Sequence, residues 1–140
     1  MTHFLGEFFH SLDPKGRLIL PARFREPLTQ AFVTIEMDKC LALWPPTKFD
    51  AKAEEMQVRS QGSDADRNMA RVFFAYAQEA NPDRQGRIPI PANLRQFAGI
   101  EQESQVVVTG AGDHVEIWGV ATWERTKGSG VSALAGSNAP

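Results

Sequence analysis

Apolar residues follow two periods along this chain. Around residues 4–20, 31–44, 74–90 and 105–118 they fall in short, partly alternating runs rich in Val, Ile, Leu, Phe and Trp, the pattern of strands. Across 47–76 they recur every three to four residues, the pattern of amphipathic helices. The runs predict strands over 4–12, 17–20, 31–38, 40–44, 74–80, 87–90, 105–109 and 114–118. One helix is predicted over 47–59, with Thr47 as N-cap and Phe49, Ala53 and Met56 on one face. A second runs from Asp64 or Asp66 to about residue 74, with Met69, Val72, Phe73 and Tyr76 as its apolar face. The two make a helical hairpin. Short helices are predicted after Pro21, over 91–97 and over 121–127. The stretch GSGVSALAGSNAP that follows is small and polar, and disorder is expected there.

The elements repeat. Residues 13–28 read DPKGRLILPARFREPL, and seventy residues later 83–98 read DRQGRIPIPANLRQFA. Asp13/Asp83, Gly16/Gly86, Arg17/Arg87, Pro21/Pro91, Ala22/Ala92 and Arg25/Arg95 coincide, and Leu18/Ile88, Leu20/Ile90 and Phe24/Leu94 keep apolar character. A phrase carried twice in register predicts two copies of one unit. Asp at the first and Gly at the fourth position are type I turn preferences, reinforced by Pro14 in the first copy. Each turn is expected to join its two flanking strands into a hairpin, with Lys15 at the tip and Arg17 at the shoulder of the first. Pro21 suits a first helical position. Pro27 should end the first short helix early, whereas the second has Phe97 there and Gly99 as a natural terminator. Pro89 lacks a ladder donor, so its strand is expected at an edge or with its N–H side pointing outward.

Composition narrows the chemistry. The 140 residues carry a net charge of -2, with 42% hydrophobic and 23% charged residues, the balance of one globular domain. Nucleic-acid binding would have to come from a local patch, since a strongly basic whole is missing. The lone Cys40 cannot form an internal disulfide and reads as a small buried hydrophobe. No signal peptide and no apolar run of about 20 residues is visible, so a cytoplasmic protein is expected, with no membrane partner. There is no phosphate-binding loop, nucleophile elbow or H-E-x-x-H motif, so neither an enzyme nor a small-molecule substrate is expected. Asp113 and His114 make an incomplete ligand set, so no metal or other cofactor is expected. Trp44, Trp118 and Trp123 read as core or interface residues. The basic turn residues leave two readings open. Arg17 and Arg87 can pair with Asp13 and Asp83 merely to pin the turns, although exposed pairs contribute only about 0–1 kcal/mol. Alternatively the carboxylates orient guanidinium forks toward phosphate or the guanine edge.

The run FLGEFFHSLDPKGRLILPARFREPL closely resembles the opening of MraZ proteins, and Asp83 to Arg87 resembles their second D-x-x-x-R copy. The resemblance extends from residue 4 to about 126. It implies an α+β, mostly β fold: a swapped-hairpin (double-split) barrel of AbrB/SpoVT type, built here from two internal repeats in one chain. It divides the chain into a first AbrB-like repeat with its following helix (1–60), a connecting helix (61–73), a second repeat (74–126) and a disordered tail (127–140). It implies a sequence-specific DNA-binding transcriptional regulator of the bacterial division and cell-wall gene cluster, nucleoid-associated. Such a protein acts on double-stranded DNA upstream of its own operon, at repeated G-rich boxes, as a homo-oligomeric ring. The family's motif arginines map onto Arg17 and Arg87 and its aspartates onto Asp13 and Asp83. Lys15 and Arg84 join them as DNA-contact candidates by their position at the turns. An antitoxin-like protein-binding module and a ring-former without DNA affinity are the alternatives.

Overall fold

The computed structural model describes residues 3–136. The first repeat holds β1 (Glu7–Ser11), β2 (Arg17–Ile19), α1 (Ala22–Arg25), β3 (Phe32–Glu36) and β4 (Cys40–Trp44). Helices α2 (Pro46–Arg59) and α3 (Asp64–Tyr76) follow. The second repeat holds β5 (Gln78–Glu79), β6 (Arg87–Pro89), α4 (Ala92–Ala98), β7 (Gln105–Gly110), β8 (Val115–Gly119) and α5 (Val120–Leu134). The fold is α+β, with antiparallel sheets and five helices.

The strands form a six-stranded sheet, ordered β1-β7-β8-β4-β3-β5, and a separate β2–β6 ribbon. Exchanging the two repeats maps the six-stranded order onto itself. The expected local hairpins are therefore corrected: β1 pairs with β7 of the other repeat and β2 with β6. A strand's alternation selects its buried face but not its partner. Here the partners that let Leu18 and Ile88 lie fully buried opposite each other come from opposite repeats. The hydrogen bonds make two sheets among the described residues, and one apolar core joins them. It contains Leu18, Leu20, Phe24 and Leu28 from the first repeat and Ile88, Ile90, Leu94 and Ala98 from the second. Each buried aliphatic or aromatic side chain contributes about 1.5–3 kcal/mol, and both repeats supply such side chains to the one core.

Several boundaries differ from expectation. Helix α1 is only four residues long, cut short before Pro27, whereas α4 has seven and ends on Gly99 at φ 65°. Pro21 is the N-cap of α1 and not its first residue. Helix α2 starts at Pro46, ahead of Thr47, because a missing N–H is harmless in the first turn. Ser63, and neither Asp64 nor Asp66, caps α3: its Oγ accepts from the Asp66 N–H at 3.1 Å. Helix α3 continues to Tyr76, leaving only Gln78–Glu79 as strand where 74–80 was expected. Phe73 holds it there, stacked on Phe49 at 5.9 Å and accepting through its carbonyl from Thr34 Oγ1 at 2.7 Å. On α3 the buried positions are Ala70 and Phe73, while Met69 and Val72 of the expected apolar face stay exposed.

Helix α5 corrects the expectation of a disordered tail from 127, since it runs to Leu134. Its glycines weaken a helix by about 1 kcal/mol each but do not break it as Pro would. Its first turns are anchored by Trp123 against Trp118 at 5.3 Å and by Trp123 Nε1 and Lys127 Nζ donating to Glu7. The rest of that expectation, residues 137–140, lies outside the described residues. Cys40 is fully buried, and burial pushes its thiol pKa up. Trp44 and Trp118 are buried as expected. No helix among the described residues is long and apolar enough to cross a membrane.

Candidate nucleic-acid interface

Each repeated phrase folds into the same small lock. In the first, the Gly16 N–H donates to the Asp13 carbonyl at 2.9 Å and closes the turn. Asp13 Oδ1 accepts the Lys15 N–H at 2.9 Å and the Arg17 N–H at 2.8 Å, and Oδ2 accepts Arg17 Nε at 2.7 Å. In the second, Asp83 Oδ1 accepts the Gln85 and Arg87 N–H groups at 2.9 Å each, and Oδ2 accepts Arg87 Nε at 2.8 Å. The backbone N–H of the following arginine, first among several donors, holds each carboxyl below its usual pKa. Gly16 and Gly86 take φ of 75° and 78°, a region that side chains with a Cβ rarely occupy.

Of each guanidinium the lock uses only Nε. Among the described residues, the Nη groups of Arg17 and Arg87 donate to no protein acceptor, so two forked donors stay available on each. The ribbon then places them. Register pairs Arg17 with Pro89, Leu18 with Ile88 and Ile19 with Arg87. Leu18 and Ile88 point into the core, so Arg17, Ile19, Arg87 and Pro89 share the outward face. Arg17 and Arg87 are diagonal neighbours, about 7–8 Å apart. Hydrogen bonds from the Leu20 N–H to the Gly86 carbonyl and from the Ile90 N–H to the Gly16 carbonyl, both 2.9 Å, extend the ladder to the turns. The two turns therefore lie at opposite ends of the ribbon, about 14 Å apart along it at 3.4 Å per residue. Lys15 and Arg84, both exposed, mark those ends. Of the six residues singled out from sequence, the fold thus brings Arg17 and Arg87 together and separates Lys15 from Arg84.

One repeated residue was visible in the sequence but had no role assigned to it. Arg25 Nε donates to the Leu20 carbonyl at 3.0 Å, and Arg95 Nη1 donates to the Ile90 carbonyl. Both lie at the turn glycine of the other repeat. Their recurrence in register was the signal; the cross-repeat contact is absent from any local reading. His10 sits in the same region, its pKa lowered by burial and then by the Arg25 charge.

Asp113 and His114 hydrogen-bond each other, and Glu116 joins them. His114 Nδ1 bonds Asp113 at 2.7 Å, Nε2 bonds Glu116 at 3.0 Å, and the ring stacks on Trp44 at 4.2 Å. Burial opposes its charged form, but the two carboxylates prevail and its pKa is raised. Among the described residues, no group of three or more His, Cys, Asp and Glu side chains is arranged so that it could hold a metal ion.

A family model described as "MraZ protein, putative antitoxin-like" matches twice, over residues 3–72 and 73–129. The two matches meet inside α3, shortly before β5. Among similar proteins, "Transcriptional regulator MraZ" of Symbiobacterium thermophilum is 42% identical over 120 residues, 85% of this chain and 86% of its own length. The protein of that name from Pelotomaculum thermopropionicum is 43% identical over 131 residues, 93% of this chain and 89% of its own. The one from Heliobacterium modesticaldum is 42% identical over 123 residues, 87% and 85% of the two chains. With both repeats matched and such identity over most of its length, the chain belongs to the MraZ family.

Proposed function

We propose that this protein is a transcriptional regulator that binds double-stranded DNA through the outward face of the β2–β6 ribbon and its two turns. The observation that carries the reading is the pair Arg17 and Arg87: oriented through Nε, unspent at Nη, and side by side on one exposed face. An arginine held this way suits the O6/N7 edge of guanine, and β-ribbons enter the major groove in other DNA readers. Lys15 and Arg84 extend the contact toward flanking phosphates. Asp13 and Asp83 orient the arginines and touch no DNA. The targets we infer are repeated G-rich boxes upstream of its own operon in the division and cell-wall gene cluster. The pair of sheets around one core is, in this reading, a swapped-hairpin barrel completed within one chain.

One subunit binds weakly. The two groups aimed at phosphate, Lys15 and Arg84, give a salt slope of about 1.8, at roughly 0.9 for each phosphate neutralised, and a net charge of -2 adds no steering. A ring presenting several ribbons to several boxes multiplies the same contact, with avidity gains of about 10² to 10⁴. Anisotropy titrations against one, two and three boxes test this: affinity should climb with box number, and a flat series rules out the ring-and-repeat device. Absence of any shift at low salt with the upstream DNA rules out DNA binding.

A second reading, an antitoxin-like protein-binding module, is favoured by a groove of about 320 Å³ between the β3–β4 turn and the α2–α3 hairpin. Met37, Met69 and Val72 line it and are exposed. It predicts a stoichiometric protein partner that is lost in a Met69→Asp, Val72→Asp variant whose DNA affinity is intact.

A further inference from the structure

Arg25 and Arg95 have no carboxylate within ion-pair distance among the described residues, yet both are half-buried and both recur at the same place in the repeat. Each stands fourth in its helix, directly after the buried Phe24 or Leu94 that pins that helix to the core. From there each crosses to the other repeat. A Cβ on Gly86 would come within 2.6 Å of Arg25 Cζ, and one on Gly16 within 2.5 Å of Arg95 Nη1. Both turn glycines are buried although they sit in surface turns, and these guanidinium groups cover them.

The hydrogen bonds complete a closed arrangement. The Gly86 carbonyl accepts from the Leu20 N–H, and the Leu20 carbonyl accepts from Arg25. The mirror set links Gly16, Ile90 and Arg95. Gly86 immediately precedes Arg87, whose N–H and Nε make the lock with Asp83. Whatever fixes the Gly86 peptide therefore fixes the starting direction of the Arg87 side chain.

We propose that Arg25 and Arg95 are positioning residues, each holding the DNA-contacting turn of the opposite repeat in its working conformation. The proposal rests on the DNA-binding reading above. Its chemistry needs Arg and not Lys: a flat, weakly hydrated guanidinium can lie against a glycine peptide while donating to a carbonyl, which a compact ammonium cannot do. The consequence is that each turn is built by both repeats, so damage to α1 is felt at the second turn and damage to α4 at the first.

Arg25→Lys and Arg95→Lys in the full chain test this by two measurements. The first is amide hydrogen exchange without DNA. Arg25→Lys should speed exchange at Gln85, Gly86 and Arg87 and leave Lys15, Gly16 and Arg17 unchanged; Arg95→Lys should do the reverse. Faster exchange in the variant's own repeat, or no change in either turn, overturns the proposal. The second is DNA affinity as a function of salt. Each variant should bind about tenfold more weakly with an unchanged salt slope. A slope lower by about 0.9 in Arg25→Gln or Arg95→Gln, which remove the charge that Lys keeps, would instead make these residues direct phosphate contacts and overturn the positioning role. The melting temperature should move little with Lys; if it does not hold, Arg25→Gln and Arg95→Gln are read by the same exchange pattern. Failure of the wild-type chain to bind the upstream DNA sinks the function proposed above, and exchange alone still decides the cross-repeat contact.

Discussion

The turn at residues 13–16 contains Pro14, and its carbonyl is braced by Gln102 Nε2 at 2.8 Å. The turn at 83–86 has neither a proline nor, among the described residues, such a brace. Its Asp83 side chain is 40% exposed against 26% for Asp13. The helix after the first turn is cut to four residues, while the helix after the second runs seven and closes on Gly99. Yet the corresponding Asp–Arg distances agree to 0.1 Å: 2.8 and 2.9 Å to the arginine N–H, 2.7 and 2.8 Å to Nε. The lock is therefore a property of the Asp-x-x-Gly-Arg phrase and of the glycine that permits the turn. The supports around it differ freely and set how firmly each turn is held.

The largest effects should come from the glycines. Gly16→Ala and Gly86→Ala combine an unfavourable φ with a collision against a guanidinium, and each should lower stability by about 2–4 kcal/mol in denaturant unfolding. Equal losses mean the two turns are equally constrained; a markedly smaller loss for Gly86→Ala would locate flexibility in the unbraced turn. Next, Arg17→Ala and Arg87→Ala should each weaken binding to a G-rich box by about 1–3 kcal/mol while shifting the melting temperature little. Matching losses support a symmetric readout, and a loss confined to one variant assigns base contact to one turn. Gln102→Ala should cost about 0.5–1.5 kcal/mol and speed amide exchange at the first turn only. A response at the second turn as well would contradict the asymmetry of the supports.

The smallest effects are those of pH. Asp13 and Asp83 have lowered pKa values, so their contribution is present above about pH 3.9, the usual carboxylate value, and is lost as pH falls through the folded pKa. The two carboxyl resonances should titrate together if the locks are equivalent. His114 breaks the symmetry, because the corresponding β3–β4 turn has Met37–Lys39 and no histidine. Its raised pKa stabilises the fold fully below about pH 6.5, and that contribution disappears as pH rises through the raised value. In His114→Gln the loss of stability between neutral and alkaline pH should be flatter than in the wild type.

Much of the site could be read from local chemistry. Asp at the first turn position and Gly at the fourth predicted both turns, Pro27 the truncation of α1, and Gly99 the end of α4. Each acts within a few residues of itself, through a fixed φ, a missing N–H or a short side-chain hydrogen bond. The errors share another origin. Of the expected stripe on α3, Phe73 is buried, but the stripe is wider than the surface the helix covers: Met69 and Val72 stay exposed and Ala70 is buried beside Phe73. The end of α5 is composed of residues that tolerate both helix and coil, and contacts from Glu7, more than a hundred residues away, anchor its start.

What the sequence by itself determined is the repeated unit: turn, lock, short strand, short helix, and the two arginines oriented by their own aspartates. Partnership was decided only by the tertiary structure. Alternating apolar positions state that Leu18 and Ile88 must be buried but not against what, and burial on both sides of one core is satisfied by exchanging strands between repeats. The same exchange sets Arg17 beside Arg87 on one face and carries Arg25 and Arg95 to the opposite turns. A side chain's reach is a matter of geometry in three dimensions, and nothing within the phrase encodes it.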